Sequence, residues 1–111
     1  MLNKANRINK TRDLQKVYRL GKASHTSALV IKFVAQEKKR LAFVVSKKVS
    51  KKAVERNRIK RILREFLRQH IEYLASGDYM VIVKPQAKGL SAAALRDNLK
   101  KGLIKANLWR K

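Results

Sequence analysis

KKVSKKAVERNRIKRILREFLR, residues 47–68, is the stretch on which the rest of the reading depends. Ile59, Ile62, Leu63, Phe66 and Leu67 recur at steps of three and four, with Leu74 continuing the series, which is the period of an amphipathic helix. They fill one face, roughly 140° wide. Asn57, Arg58, Lys60, Arg61, Arg64 and Arg68 fill the other. Glu55 falls near the helix start, where a negative charge suits the macrodipole. The stretch carries ten of the chain's 29 Lys and Arg against two acids, Glu55 and Glu65. A merely solvated helix face mixes signs, often as Glu and Lys four apart. Here cations dominate, and on this face arginine outnumbers lysine. The planar guanidinium fork matches phosphate. The segment is therefore expected to pack by one face and to offer arginines to an anion with the other.

The whole chain has the same bias. Its 111 residues suggest one domain, 1–111, and a formal net charge of +22 repels itself unless anions compensate. Nucleic acid is the first expected partner and a membrane surface the weaker one. A structural ribosomal RNA-binding protein fits this composition. There is no cysteine, so disulfides and thiolate metal sites are excluded. No apolar run approaches the roughly 20 residues of a bilayer span. The basic N-terminus lacks the apolar core of a signal peptide and reads as mature sequence.

In chain order, residues 1–10 read as a basic, loosely ordered segment. Thr11 or Asn9 is expected to cap a short helix reaching about Arg19. Leu14, Val17 and Tyr18 lie on its apolar side and Gly21 just past its end. Residues 28–35 (ALVIKFVA) and 41–46 (LAFVVS) read as strands, and their short connection predicts an antiparallel hairpin. The basic helix is expected to run to about Ala75. Residues 76–78 (SGD) form a stop, and 79–83 (YMVIV) form a short central strand. Ser91 is placed to cap a last helix with Leu95, Leu99, Leu103 and Ala106 on one face. Gly102 weakens that helix by about 1 kcal/mol relative to Ala. The order predicts helices packed on a small sheet, an α+β sandwich.

No catalytic constellation emerges. His25 sits in a polar turn, and His70 lies on the apolar face of the basic helix, where a packing role is expected. The seven acids are scattered, without the cluster a two-metal nuclease needs. There is no nucleophile elbow and no Gly-rich phosphate loop. The protein by itself reads as a binder.

The run Val54-Glu55-Arg56-Asn57-Arg58-Ile59-Lys60-Arg61, followed by Ile62, Leu63, Arg64 and Glu65, closely resembles the signature of the bacterial ribonuclease P protein subunit. Val45-Ser46-Lys47-Lys48-Val49 matches the same block. Asp13 to Tyr18 with Gly21 resembles that family's first helix and turn, and the strands around 41–46 and 78–84 match its order. The resemblance implies a two-layer α–β sandwich in the order α-β-β-β-α-β-α, ribosomal protein S5 domain 2-like, with a left-handed crossover and a short extra strand near 22–25. It implies a function in 5′ maturation of precursor tRNA. The RNA subunit would be the catalyst, using magnesium ions, with no cofactor bound by the protein itself. The implied partners are that catalytic RNA and the 5′ leader of precursor tRNA, with no membrane and no obligate protein partner, in the bacterial cytoplasm.

Carried over by position, Arg56, Asn57, Arg58, Lys60, Arg61 and Arg64 would contact the catalytic RNA, with Arg68 extending the face. Lys47, Lys48, Lys51 and Lys52 would form a basic surface near the leader path. Leu14, Tyr18, Lys32 and Phe33 would line the leader groove, Tyr18 on a family aromatic position. Leu14 and Lys32 depart from positions where the family has aromatics. On a helical wheel Arg56 projects toward the apolar side, which implies fraying or a turn at that end of the helix.

Overall fold

The computed structural model describes residues 4–110. Four strands form one sheet in the order β1-β2-β4-β3, with β1 at Lys22–His25, β2 at Leu29–Ala35, β3 at Lys39–Val44 and β4 at Gly77–Val83. Helix α1 spans Thr11–Leu20, α2 spans Ala53–Gln69 and α3 spans Ala92–Lys105. The element order is α-β-β-β-α-β-α, as expected, including the short strand at 22–25.

The expected hairpin does not form. β4 inserts between the two middle strands, running antiparallel to β2 and parallel to β3. The cause is burial. β4 is buried at every position but Ile82, and a strand apolar on both sides belongs in the sheet centre. The 17-residue helix α2 supplies the long crossover that a parallel β3–β4 pair requires.

Alternation along the strands splits the sheet into two faces. Leu29, Ile31, Leu41, Tyr79, Val81 and Val83 meet Ile59, Leu63 and Leu67 of α2 and Leu95, Leu99 and Leu103 of α3 in the main core. Burying each such aliphatic side chain contributes about 1.5–3 kcal/mol. On the opposite face Val17 of α1 packs with Met80 and Ile8, against Val34, Ala42 and Ile82. Helix α1 covers β2 and β4 there, and Val44 at the β3 edge stays 39% exposed.

Several local expectations change. Neither Thr11 nor Asn9 caps α1; Lys10 occupies that position and makes no side-chain capping bond. Gly21 is needed for close approach, because a Cβ there would lie 2.5 Å from the Val17 carbonyl oxygen and 3.1 Å from the Phe33 nitrogen. Gly102 likewise faces Ile31 and Thr26, and its carbonyl accepts a bond from Ser24 Oγ at 2.9 Å. Ser91 does cap α3, accepting from the Ala94 amide at 3.1 Å.

Helix α2 stops at Gln69, short of Ala75. A 3-10 turn at Ile71–Tyr73 follows, and Leu74 pairs with Trp109 in an isolated bridge. Asn107 adopts φ 60, the left-handed conformation that ends a helix. It turns the C-terminal residues back onto the segment after α2. At the other end the chain is held from Asn6 onward: Asn6 donates to the Lys39 carbonyl at 2.8 Å, and the Ile8 amide donates to the Leu41 carbonyl at 3.1 Å. Of the segment expected to be loose, only residues 1–3 lie outside the described residues.

Candidate nucleic-acid interface

Helix α2 separates its two chemistries as its period predicts. Ile59, Leu63 and Leu67 are buried, while Asn57, Arg58, Arg61 and Arg68 are exposed and Lys60 and Arg64 half-exposed. Arg68 Nε donates to Glu65 at 3.0 Å, an exposed pair that is worth little on its own. No intramolecular hydrogen bond or ion pair engages the side chains of Arg58, Lys60, Arg61 or Arg64 within the described residues. A row of unneutralised cations on a rigid helix stores electrostatic energy that a phosphate backbone releases.

Arg56 departs from this row. The helix is not frayed at its start. Arg56 lies in the first turn, and its Nη1 folds back to the carbonyls of Ser50 and Lys51, both at 3.0 Å. It clamps the preceding loop. That loop presents Lys47, Lys48, Lys51 and Lys52 around buried Val49 and Ser50. Ser46 and Ser50 hydroxyls accept from the amides two residues on, at 3.3 and 3.2 Å, and so fix its turns. The four lysines share an open hollow of about 420 Å³ with Pro85 and Lys88. Lys88 has no local sequence signal; only the fold brings it there.

The second surface is on the α1 side of the sheet. Tyr18 is 56% exposed. Lys32 Nζ lies 3.9 Å from its ring centroid and donates to its backbone carbonyl at 2.7 Å. Phe33 is removed from this groove. Neighbours in a strand point to opposite faces, and Phe33 packs its ring 4.8 Å from that of Tyr79 in the main core. Leu14 is half-buried and lines a hollow of about 340 Å³ with Arg7, Ile8, Ala42 and Val44. Lys60 and Arg64 of α2 line the same hollow. The α1 groove and the basic face of α2 therefore meet around the edge of β3. The lysine loop opens into a different hollow.

The acids are largely committed. Asp13 and Asp78 both bind Arg40, Asp97 pairs with Lys101 at 3.1 Å, and Glu65 pairs with Arg68. The bond to Asp78 raises the pKa of Arg40 further. No group of three His, Cys, Asp or Glu among the described residues could hold a metal ion. His70 packs against the rings of Phe66 and Trp109, its Nδ1 2.8 Å from the Phe66 carbonyl, and His25 is exposed. No helix is long and apolar enough to cross a membrane among the described residues.

Residues 2–107 match the family model described as Ribonuclease P. The chain belongs to the ribonuclease P protein family. It is 35% identical over 100 residues to the ribonuclease P protein component of a Nitratiruptor species, covering 88% of this chain and 91% of that protein. It is 32% identical to that of an Exiguobacterium species, covering 99% and 97%. The structure of the Staphylococcus aureus RNase P protein superposes with a TM-score of 0.89 at 31% identity, covering 96% of this chain and 99% of that one. The Thermotoga maritima RNase P protein gives 0.77 at 26% identity, covering 86% and 92%. The ribonuclease P signature recognised in the sequence is the α2 segment that carries the unpaired arginines.

Proposed function

We infer that this chain is the protein subunit of ribonuclease P, the ribonucleoprotein that processes tRNA 5′ ends, and that it works by binding. The family match and the unpaired cation row of α2 carry this reading. Arg58, Lys60, Arg61 and Arg64, with Asn57, face the catalytic RNA and read its shape through phosphate and 2′-hydroxyl contacts. Arg68 extends that face from its exposed pair with Glu65. Arg56 serves it by holding the lysine loop in place. In this reading the chemistry belongs to the RNA subunit and its magnesium ions, as the family resemblance implies, and the protein contributes binding. The holoenzyme's place is the bacterial cytoplasm, with precursor tRNA. A structural ribosomal protein remains supported by composition alone, and the family match disfavours it.

The 5′ leader of precursor tRNA runs in the α1 groove. Tyr18 and Lys32 form one composite site, a ring for a base and an ammonium for the adjoining phosphate, which suits a leader of variable sequence. Leu14, Ala42, Val44 and Ile82 provide an apolar floor. Where family members place further aromatics, this chain has Leu14 and Lys32, so its groove leans on charge more than on stacking. Lys47, Lys48, Lys51 and Lys52 add a basic surface.

Reconstitution with the cognate catalytic RNA tests both levels. Added protein should permit cleavage of precursor tRNA at low magnesium and favour substrates bearing a leader over those lacking one. Failure to assist the catalytic RNA at all would refute the subunit reading. Assistance indifferent to the leader would refute the groove.

A further inference from the structure

We propose that Arg40 is a positioning residue for leader recognition, fixing α1, and with it Tyr18, against the sheet through Asp13 and Asp78. This rests on the reading of the α1 groove given above. Arg40 Nε and Nη2 each lie 2.8 Å from one oxygen of the Asp78 carboxylate, a two-pronged pair between β3 and β4. Its Nη1 donates to Asp13 Oδ2 at 3.2 Å, in the first turn of α1. Asp78 is 6% exposed, and the Gln36 amide also donates to it. The buried carboxylate is thus fully engaged, and the guanidinium is aimed at the helix by a rigid partner.

The charge balance here runs against the rest of the molecule. The chain has seven acids for 29 Lys and Arg, yet two of the acids surround this single arginine. Locally one positive charge meets two negative ones. Such a group is poorly suited to seize a phosphate and well suited to hold protein elements together. At the other end of α1, Lys32 of β2 binds the Tyr18 carbonyl. Between the two anchors Val17 is fully buried on the sheet. The helix therefore rests on Val17 and half-buried Leu14 and is held at each end by a cation from a different strand. Leu14, next to Asp13, lines the groove hollow. Releasing the Arg40 end lets the first turn of α1 lift from the sheet, which draws Leu14 out of the groove hollow and loosens the helix that carries Tyr18.

Asp13→Asn separates this role from general electrostatics, because it leaves the Arg40–Asp78 pair in place. Removing one acid takes the formal charge from +22 to +23, which by itself would tighten RNA binding. In the reconstituted holoenzyme the variant should instead raise KM severalfold for precursors with a long leader. The kcat, and both constants for a one-nucleotide leader, should stay at parental values, and Asp13→Glu should restore the loss. Hydrogen exchange reads the brace without substrate: α1 amides should exchange about tenfold faster in Asp13→Asn, with α2 unchanged. Unchanged α1 exchange overturns the proposal, as does an equal rise in KM for both leader lengths. A parental enzyme blind to leader length would sink the groove reading instead, with the exchange rates still deciding the brace.

Discussion

Replacing Arg58 and Arg61 together by Gln isolates the electrostatic work of α2. Both side chains are exposed on the face opposite Ile59, Leu63 and Leu67, and neither holds an intramolecular partner among the described residues. Their loss should therefore leave the fold intact, with stability within about 0.5 kcal/mol of the parent. If each arginine neutralises one phosphate, the slope of log K against log salt should shrink in magnitude by about 0.7–0.9 per arginine, or roughly 1.4–1.8 for the pair. The deficit then depends on salt. Between 0.1 and 0.3 M monovalent salt the ratio of parental to variant affinity should contract by about five- to sevenfold. Fluorescence anisotropy of labelled catalytic RNA across that range, with a thermal melt of the free protein as control, measures both quantities. Parallel lines on the log–log plot would refute the reasoning, because they would mean a loss that does not come from counterion release. An unchanged affinity at every salt would place the RNA elsewhere.

Arg56→Ala should behave in the opposite way: it removes two charged hydrogen bonds to the lysine loop and should lower stability by about 1–3 kcal/mol. A parental melting temperature would contradict the clamp. Lys32→Met keeps the stem over Tyr18 but removes the charge; the salt slope of leader binding should fall by about 0.7 for the one phosphate lost. An unchanged slope in titrations with a single-stranded leader would take Lys32 out of the site. Burial pushes the Tyr79 phenol well above its ordinary value, so the unfolded chain ionises first as pH passes about 10. The stability this group contributes is complete below that pH and drains as pH climbs toward the folded value. Tyr79→Phe should cost about 1 kcal/mol at neutral pH through the lost bond to the Ala75 carbonyl, and should flatten the alkaline fall in melting temperature. The same fall in both proteins would refute the assignment.

The parts that were legible in the sequence are those where one local pattern decides the outcome. The period of Ile59, Leu63 and Leu67 gave α2 its buried and basic faces, Ser91 its cap on α3, and the apolar run Tyr79–Val83 its central place. Pairing was not legible, because the short connection before β3 favours a hairpin locally, while the burial demand of β4 acts across 30 residues or more of chain. The role of Arg56 depends on where the loop carbonyls lie, and Lys88 and Trp109 reach their partners only through the tertiary fold. Phe33 is a different case. Strand alternation already forbids Lys32 and Phe33 from lining the same groove, so its place in the core could have been read from the pattern. Arg40 carries no motif, and Asp13 and Asp78 fall in stretches that resemble the family without any sign that the three residues meet. Their joint role appears only when β4 is laid beside β3 under the first turn of α1.

The distribution of the few acids explains how so basic a chain folds while keeping its binding face open. Arg40, Arg68 and Lys101 are the cations that carboxylates neutralise among the described residues. Of these, Arg40 ties α1 to the sheet, while Arg68 and Lys101 are balanced within their own helices. Arg58, Lys60, Arg61 and Arg64 are left uncompensated in a single row. Repulsion along that row opposes the compact state, and the Leu and Ile face beneath it must overcome this in the free protein. A polyanion that binds only the folded form reverses the sign of this contribution. RNA binding and folding stability are therefore linked, and the free protein should melt lower than the same chain in its ribonucleoprotein. The surface that makes this protein a partner for RNA is the one that makes it least stable alone.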